Sequence, residues 1–364
     1  MAWKILFDLK QEYYCHCFVS ILKAMGGDSR FETAFFVGAN EERRWGIFPV
    51  SQRWRIEDWL RAQGHRVVDH PSGFDAVVAG DALKEPSRYG KALLFVSDHG
   101  PGTKTLRFRN IVRQADRRYT VFVEGQYWMD VIRRFGCADK ADWVMTGVPK
   151  LDTLFWPGYY DREQILRSLK LDPSRKTVLY APSYRPSCIP FLKDSVARIA
   201  DNCNLIIKLH PYSWGGKYAP ASQSALYQRL ARRRPDIALV PKADFDFHPY
   251  MFAADTVISD TSSALAICLA LGKVGIVADF PYPRMKHSDG MPIVSEEPHE
   301  YLRDVFVHFD RVEGLMDAVE EAVNPSAERM ARLQAHRKHY FTGLDGRAGE
   351  RARDRIAEEL SRRD

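Results

Sequence analysis

Residues 256–267 read TVISDTSSALAI. A short run with β-branched apolar residues passes through a hydroxyl-rich turn into an apolar run of helical character. This is the signature of strand, turn and helix. Asp260 or Thr261 is a natural N-cap for the helix. The free N–H groups of a first helical turn, with the hydroxyls of Ser262 and Ser263, make a ready anion site. The plain alternative is helix capping with no ligand.

Similar units lie on either side. In the first half, strand-like runs fall at 4–9, 34–38, 75–79, 92–97 and 120–124. In the second half they fall at 177–181, 205–210, 237–241, 256–260 and 274–278. Helix-like stretches separate them, among them 56–63, 107–115, 126–135 and 196–202. Continuous apolar strands alternating with helices predict parallel sheets covered on both faces. About five strands in each half predict two doubly wound α/β domains. The Pro- and Gly-containing segment VPKLDTLFWPGYYD at 148–161 supplies the seam. The expected division is 1–155, 156–325 and a charged helical tail at 326–364, with a break around 343–349. In such a layout strand C-terminal ends point into the ligand site.

Three other strand ends carry chemistry. SDHGPGTK at 97–104 puts His99 at a strand tip, followed by two glycines that permit a tight turn. His99 has the titration range of a general base. A turn with a surface histidine, or a phosphate loop unlike Walker A, are the other readings of this segment. YAPSYR at 180–185 ends a strand at Pro182 and presents Arg185, whose guanidinium suits phosphate oxygens. An ordinary salt bridge is the alternative. IIKLHP at 206–211 places Lys208 and His210 two apart, hence on one strand face. A buried lysine needs a partner, which an anionic ligand or a neighbouring carboxylate would supply.

Other features bound the function. The 364 residues are 45% hydrophobic and 27% charged, with a net charge of +6. That suits an anionic substrate or membrane face. No RRM, zinc-finger or helix-turn-helix pattern supports nucleic acid. The opening MAWKILFDLKQEYY lacks the pattern of a secretory signal, and no apolar stretch approaches membrane-spanning length. Six scattered cysteines without a CxxC pair fit reduced thiols in a cytoplasmic setting. Cys15-His16-Cys17 lacks usual zinc spacing, although His16 follows the first strand and is a candidate for the acceptor side. Asp244-Phe245-Asp246 has the D-x-D form of metal-dependent glycosyltransferases, but it precedes a helix start and reads as capping. No metal and no cofactor is expected.

Taken in order, HGPGTK (99–104), APSYR (181–185), IIKLHP (206–211) and ADTVISDTSSAL (254–265) resemble the CDP-glycerol glycerophosphotransferase family of teichoic-acid and capsule polymer synthesis. The resemblance covers roughly residues 90–280. It implies a GT-B fold, two Rossmann-like domains facing across a cleft. It also implies a CDP-glycerol or related CDP-alditol donor and a glycan or lipid-linked acceptor. His99 matches the catalytic histidine and His210 the second essential one. Arg185, Lys208, Ser262 and Ser263 match phosphate contacts, with Thr261 beside them. Gly100 and Lys104 fall to the acceptor side with His16. The chain departs from the family at Ile267, where members usually carry an acid, and at Thr261, where a tyrosine is common.

The expected reaction takes an acceptor proton onto His99 and attacks the phosphorus bearing the glycerol unit, releasing CMP. Arg185, Lys208, protonated His210 and the helix start at Ser262–Ser263 absorb the developing charge. Two alternatives stay open. One is a GT-B glycosyltransferase using a UDP- or CMP-sugar. The other is a non-catalytic glycan-binding relative. A basic tail and lipid-linked acceptors add the expectation of peripheral contact with the inner membrane face.

Overall fold

A computed structural model describes the chain except for residues 1, 39–40, 45–47, 52, 98–99, 103, 115–116, 216–221, 261, 283–285, 287–289, 297–299 and 364. The chain falls into two compact units. One comprises Met1–Pro101, Thr105–Trp156 and His339–Asp364, the other Gly102–Lys104 and Pro157–Lys338.

The first unit is built on β1 (Trp3–Leu9), β2 (Phe31–Val37), the hairpin strands β3 (Glu41–Arg44) and β4 (Phe48–Ser51), β5 (Val67–Val68), β6 (Ala76–Ala79), β7 (Leu93–Ser97), β8 (Tyr119–Val123) and β9 (Asp142–Met145). Seven of these form one sheet in the order β5-β2-β1-β6-β7-β8-β9. Every pairing in it is parallel. Apolar side chains on both faces explain this, since β6 is buried throughout and β1 in its last five residues. The edge strands β5 and β9 and the hairpin were not expected. They are short or half-exposed, so they lack a continuous apolar run.

The second unit holds β10 (Thr177–Tyr180), β11 (Asn204–Ile207), β12 (Ile237–Leu239), β13 (Thr256–Ser259), β14 (Ile276–Ala278) and β15 (Val307–Phe309). Their order is β12-β11-β10-β13-β14-β15, again with parallel pairs only. That is the Rossmann order, and its direction reverses between β10 and β13.

The charged tail forms two helices, Ala327–Tyr340 and Ala348–Ser361. The last belongs to the first unit. Its Ala352, Ile356, Ala357 and Leu360 lie in the same core as Ile5, Phe7 and Leu9 of β1. Its N-terminus is held by Asp152, whose carboxylate accepts from the backbone N–H of Ala348 (3.1 Å) and Gly349 (2.8 Å).

Candidate functional site

In an open doubly wound sheet the crevice at the reversal of strand order is the favoured ligand site. In the second unit that place is the pair of C-terminal ends of β10 and β13. The chain leaving β10 is tied to β13 by backbone and side chain alike. Ala181 N–H donates to the Ile258 carbonyl at 2.9 Å, and Ser259 Oγ donates to the Ala181 carbonyl at 2.5 Å. Asp260 is 1% exposed. Its carboxylate accepts from the backbone N–H of Ser183 (3.0 and 3.2 Å) and Cys188 (2.9 Å). The turn that bears Arg185 is thus fastened at both ends to one buried acid.

This corrects the expectation that Asp260 or Thr261 caps the following helix. β13 ends at Ser259, and the next side chain turns toward β10 instead. Ser262 is the N-cap of the helix Ser263–Ala270, its hydroxyl accepting from Ala264 N–H at 3.3 Å. Thr261 lies outside the described residues. The helix is buried at every residue from Ala264 to Ala270. Ile267, 2% exposed, therefore sits in apolar packing that would not suit the acid usual in the family.

Arg185 is exposed at the tip of its turn. Next to it, the Tyr184 ring packs on His210 with centroids 4.5 Å apart and on Tyr212 at 5.1 Å. His210 Nδ1 accepts the backbone N–H of Tyr212 at 3.2 Å, capping the short helix Pro211–Trp214. With Nδ1 turned to the backbone in this way, Nε2 is the ring nitrogen available to donate. Around the turn, Ser183 Oγ, Ser213 Oγ and Gln223 Oε1 are buried and take no hydrogen-bond partner among the described residues.

Lys208 and His210 both lie just beyond β11, which ends at Ile207, and their side chains take separate partners. Lys208 is 8% exposed, and its ammonium donates to the Asp244 carbonyl, 6.0 Å from the Tyr250 ring. Burial pulls its pKa below the usual lysine value, against the pull of Asp244 and Asp246. Those two acids act as turn formers. Asp244 accepts from Asp246 N–H (3.2 Å) and Asp246 from His248 N–H (3.0 Å), opening the helix His248–Ala253. Among the described residues no cluster of three or more His, Cys, Asp or Glu side chains could hold a metal.

Gly102 and Lys104 belong to the second unit, an arrangement that no local pattern in the sequence announces. Gly102, at φ +154°, adopts a backbone conformation open to glycine. A Cβ there would touch Ser263 Cα at 3.4 Å. The Lys104 backbone bridges to Val294, and its ammonium lies 5.6 Å from the Tyr184 ring centroid. His99 lies outside the described residues. In the first unit, Gly100 lines a small cavity with Pro101, Glu124, Gly147 and Val148. His16 lies in the short helix Glu12–Cys17, 6.3 Å from the Trp59 ring.

Comparison with known proteins agrees with this geometry. Among solved structures, the wall teichoic acid polymerase TagF is similar with a TM-score of 0.67 at 14% identity, over 99% of this chain and 89% of that one. UDP-GlcNAc 2-epimerase from Neisseria meningitidis, bound to UDP-GlcNAc, is similar with a TM-score of 0.62 at 12% identity, over 99% and 100%. The S. aureus MnaA–UDP structure follows at 0.61 and 14%, over 99% and 97%. These establish the GT-B fold of the chain. No curated protein gives a significant match. Residues 96–266, just under half of the chain and including the HGPGTK, APSYR, IIKLHP and ADTVISDTSSAL segments, match the family described as CDP-Glycerol:Poly(glycerophosphate) glycerophosphotransferase.

Proposed function

We propose that the protein transfers glycerol phosphate from CDP-glycerol to a hydroxyl of a glycan or lipid-linked acceptor, with release of CMP. The observation that carries this reading is the crevice at the β10–β13 reversal. The helix start at Ser262–Ser263 follows β13, the turn bearing Arg185 follows β10, and His210 packs on Tyr184 of that turn, an arrangement suited to a nucleotide at such a reversal. Buried hydroxyls that have no described partner, such as Ser183 Oγ, fit a site completed by a polar ligand.

In the proposed reaction the acceptor oxygen attacks the phosphorus bearing the glycerol unit. The new O–P bond forms as the bond to the bridging oxygen of the diphosphate breaks. His99 takes the acceptor proton, and CMP leaves with the bridging electrons. Arg185 and the helix N–H groups stabilise charge on the diphosphate, and His210 Nε2–H donates to it. Lys208 would join them by leaving the Asp244 carbonyl. Preorganised donors of this kind are a large source of rate enhancement.

Nucleotide release measured across CDP-glycerol, CDP-ribitol, UDP-sugars and CMP-sugars tests the donor. CMP from CDP-glycerol is the expected product, and UDP or no nucleotide would overturn the reading. His99→Ala should bind CDP-glycerol normally and lose turnover by roughly 10²-fold or more, the usual scale for a lost general base. Near-normal turnover would remove His99 from the mechanism.

Contact with an anionic membrane surface is part of the same proposal. No described helix is long and apolar enough to cross a membrane. The helix Arg53–Ala62 exposes Trp54 (61%) and Trp59 (42%) among arginines, a composition suited to the lipid interface. By contrast, the apolar face of Ala348–Ser361 is taken up in the core. Sedimentation with phosphatidylglycerol vesicles should weaken on Trp54→Ser/Trp59→Ser substitution. Equal sedimentation of variant and wild type would refute this surface.

A further inference from the structure

We propose that Lys104 is a donor-side residue whose ammonium contacts the diphosphate of the nucleotide, so that the segment carrying the base also grips the donor. The proposal rests on the functional reading above and reassigns a residue first placed with the acceptor.

The argument begins with the backbone. Gly102–Lys104 belongs to the second unit although the chain on both sides belongs to the first. Gly102 lies against Ser263, the first residue of the buried helix, in a conformation that a side chain would strain. The antiparallel bridge of Lys104 to Val294 fixes the segment a second time. Lys104 follows two residues after the glycine that touches this helix start, where an anion would meet the free N–H groups.

The side chain then lacks what a shielded cation needs. Lys104 is only partly exposed. Among the described residues its ammonium makes neither a hydrogen bond nor an ion pair. Among these residues it is attracted by the face of Tyr184 and the charge of Asp260. Both oxygens of that acid are engaged by Ser183 and Cys188 N–H groups. Burial lowers the lysine's pKa accordingly. A diphosphate would supply the missing charge and acceptors. Tyr184 also packs on His210, so Lys104 and His210 share one ring, and Arg185 follows it in the chain.

Two measurements test this. In wild type, CDP should protect Lys104 from amine acylation, read by peptide mass spectrometry. Lys104→Gln should raise the Kd for CDP-glycerol roughly tenfold or more, the scale of one charge-assisted contact, with Lys104→Arg recovering part of it and the acceptor KM unchanged. A Lys104 that stays fully reactive under saturating CDP overturns the proposal. So does an unchanged donor Kd with a raised acceptor KM, which would return Lys104 to the acceptor. The acylation result needs no variant, so a misfolded substitution does not decide the matter. Protection by UDP together with failure to release CMP from CDP-glycerol would instead sink the functional reading and leave the role of Lys104 standing.

Discussion

At the scale of residues, the two lysines of the candidate site, Lys104 and Lys208, have their ammonium pKa pulled down by burial. The charged form is the one that binds an anion. A lowered pKa means that this form is lost at lower pH than in an ordinary lysine. Affinity for CDP should therefore decline on the alkaline side before the usual value of 10.5 is reached. Lys104→Arg should push part of that decline upward, because a guanidinium does not deprotonate in this range. Calorimetric titrations between neutral and strongly alkaline pH read both effects, and an identical profile in the variant would count against the lysine's part. The types of these residues were legible in the sequence, and their company was not. Period-two alternation reads Lys208 and His210 as one face, but it carries no information on what each side chain meets past the strand end at Ile207. Beyond it the chain turns into the helix Pro211–Trp214, and the two side chains take separate partners. Asp260 was read as a local cap because capping is a short-range pattern. Its real partners, Ser183 and Cys188, are more than seventy residues away.

At the scale of elements, the long buried strands were readable because an apolar run bounded by turn residues has few other meanings. The short edge strands were not, since two to four residues carry too little pattern. How the last helix packs was equally silent. Gly349 lies so close to the helix Val19–Gly26 that a Cβ would stand 2.5 Å from the carbonyl carbon of Ser20 and 2.6 Å from its oxygen. Ser20 in turn donates to the Pro149 carbonyl at 2.9 Å. A backbone neighbour cannot move aside as a flexible side chain can. Gly349→Ala gains helix propensity, yet it should lower stability by roughly 1–3 kcal/mol through overpacking. Urea unfolding followed by circular dichroism measures this, and a stability equal to or above wild type would show that the helices separate without cost.

At the scale of the whole molecule, two α/β halves followed from alternation alone, but membership of the halves did not. The first unit draws on three separated stretches of chain. Removal of residues 339–364 should leave the second sheet folded and expose the core around β1, because Ala352, Ile356, Ala357 and Leu360 are lost from it. Limited proteolysis of the truncated protein should then cut first within residues 2–156, and uniform resistance would contradict the shared core. The same connectivity sets an order of events during synthesis. The sheet of the first unit leaves the ribosome early, yet the helix that completes its core emerges roughly 200 residues later, a wait of about 10–40 s at ordinary elongation rates. During that interval the second unit can close on itself while the first waits for its last piece. A nascent chain of this kind exposes apolar surface at its oldest end, so chaperone capture should be strongest on residues made first.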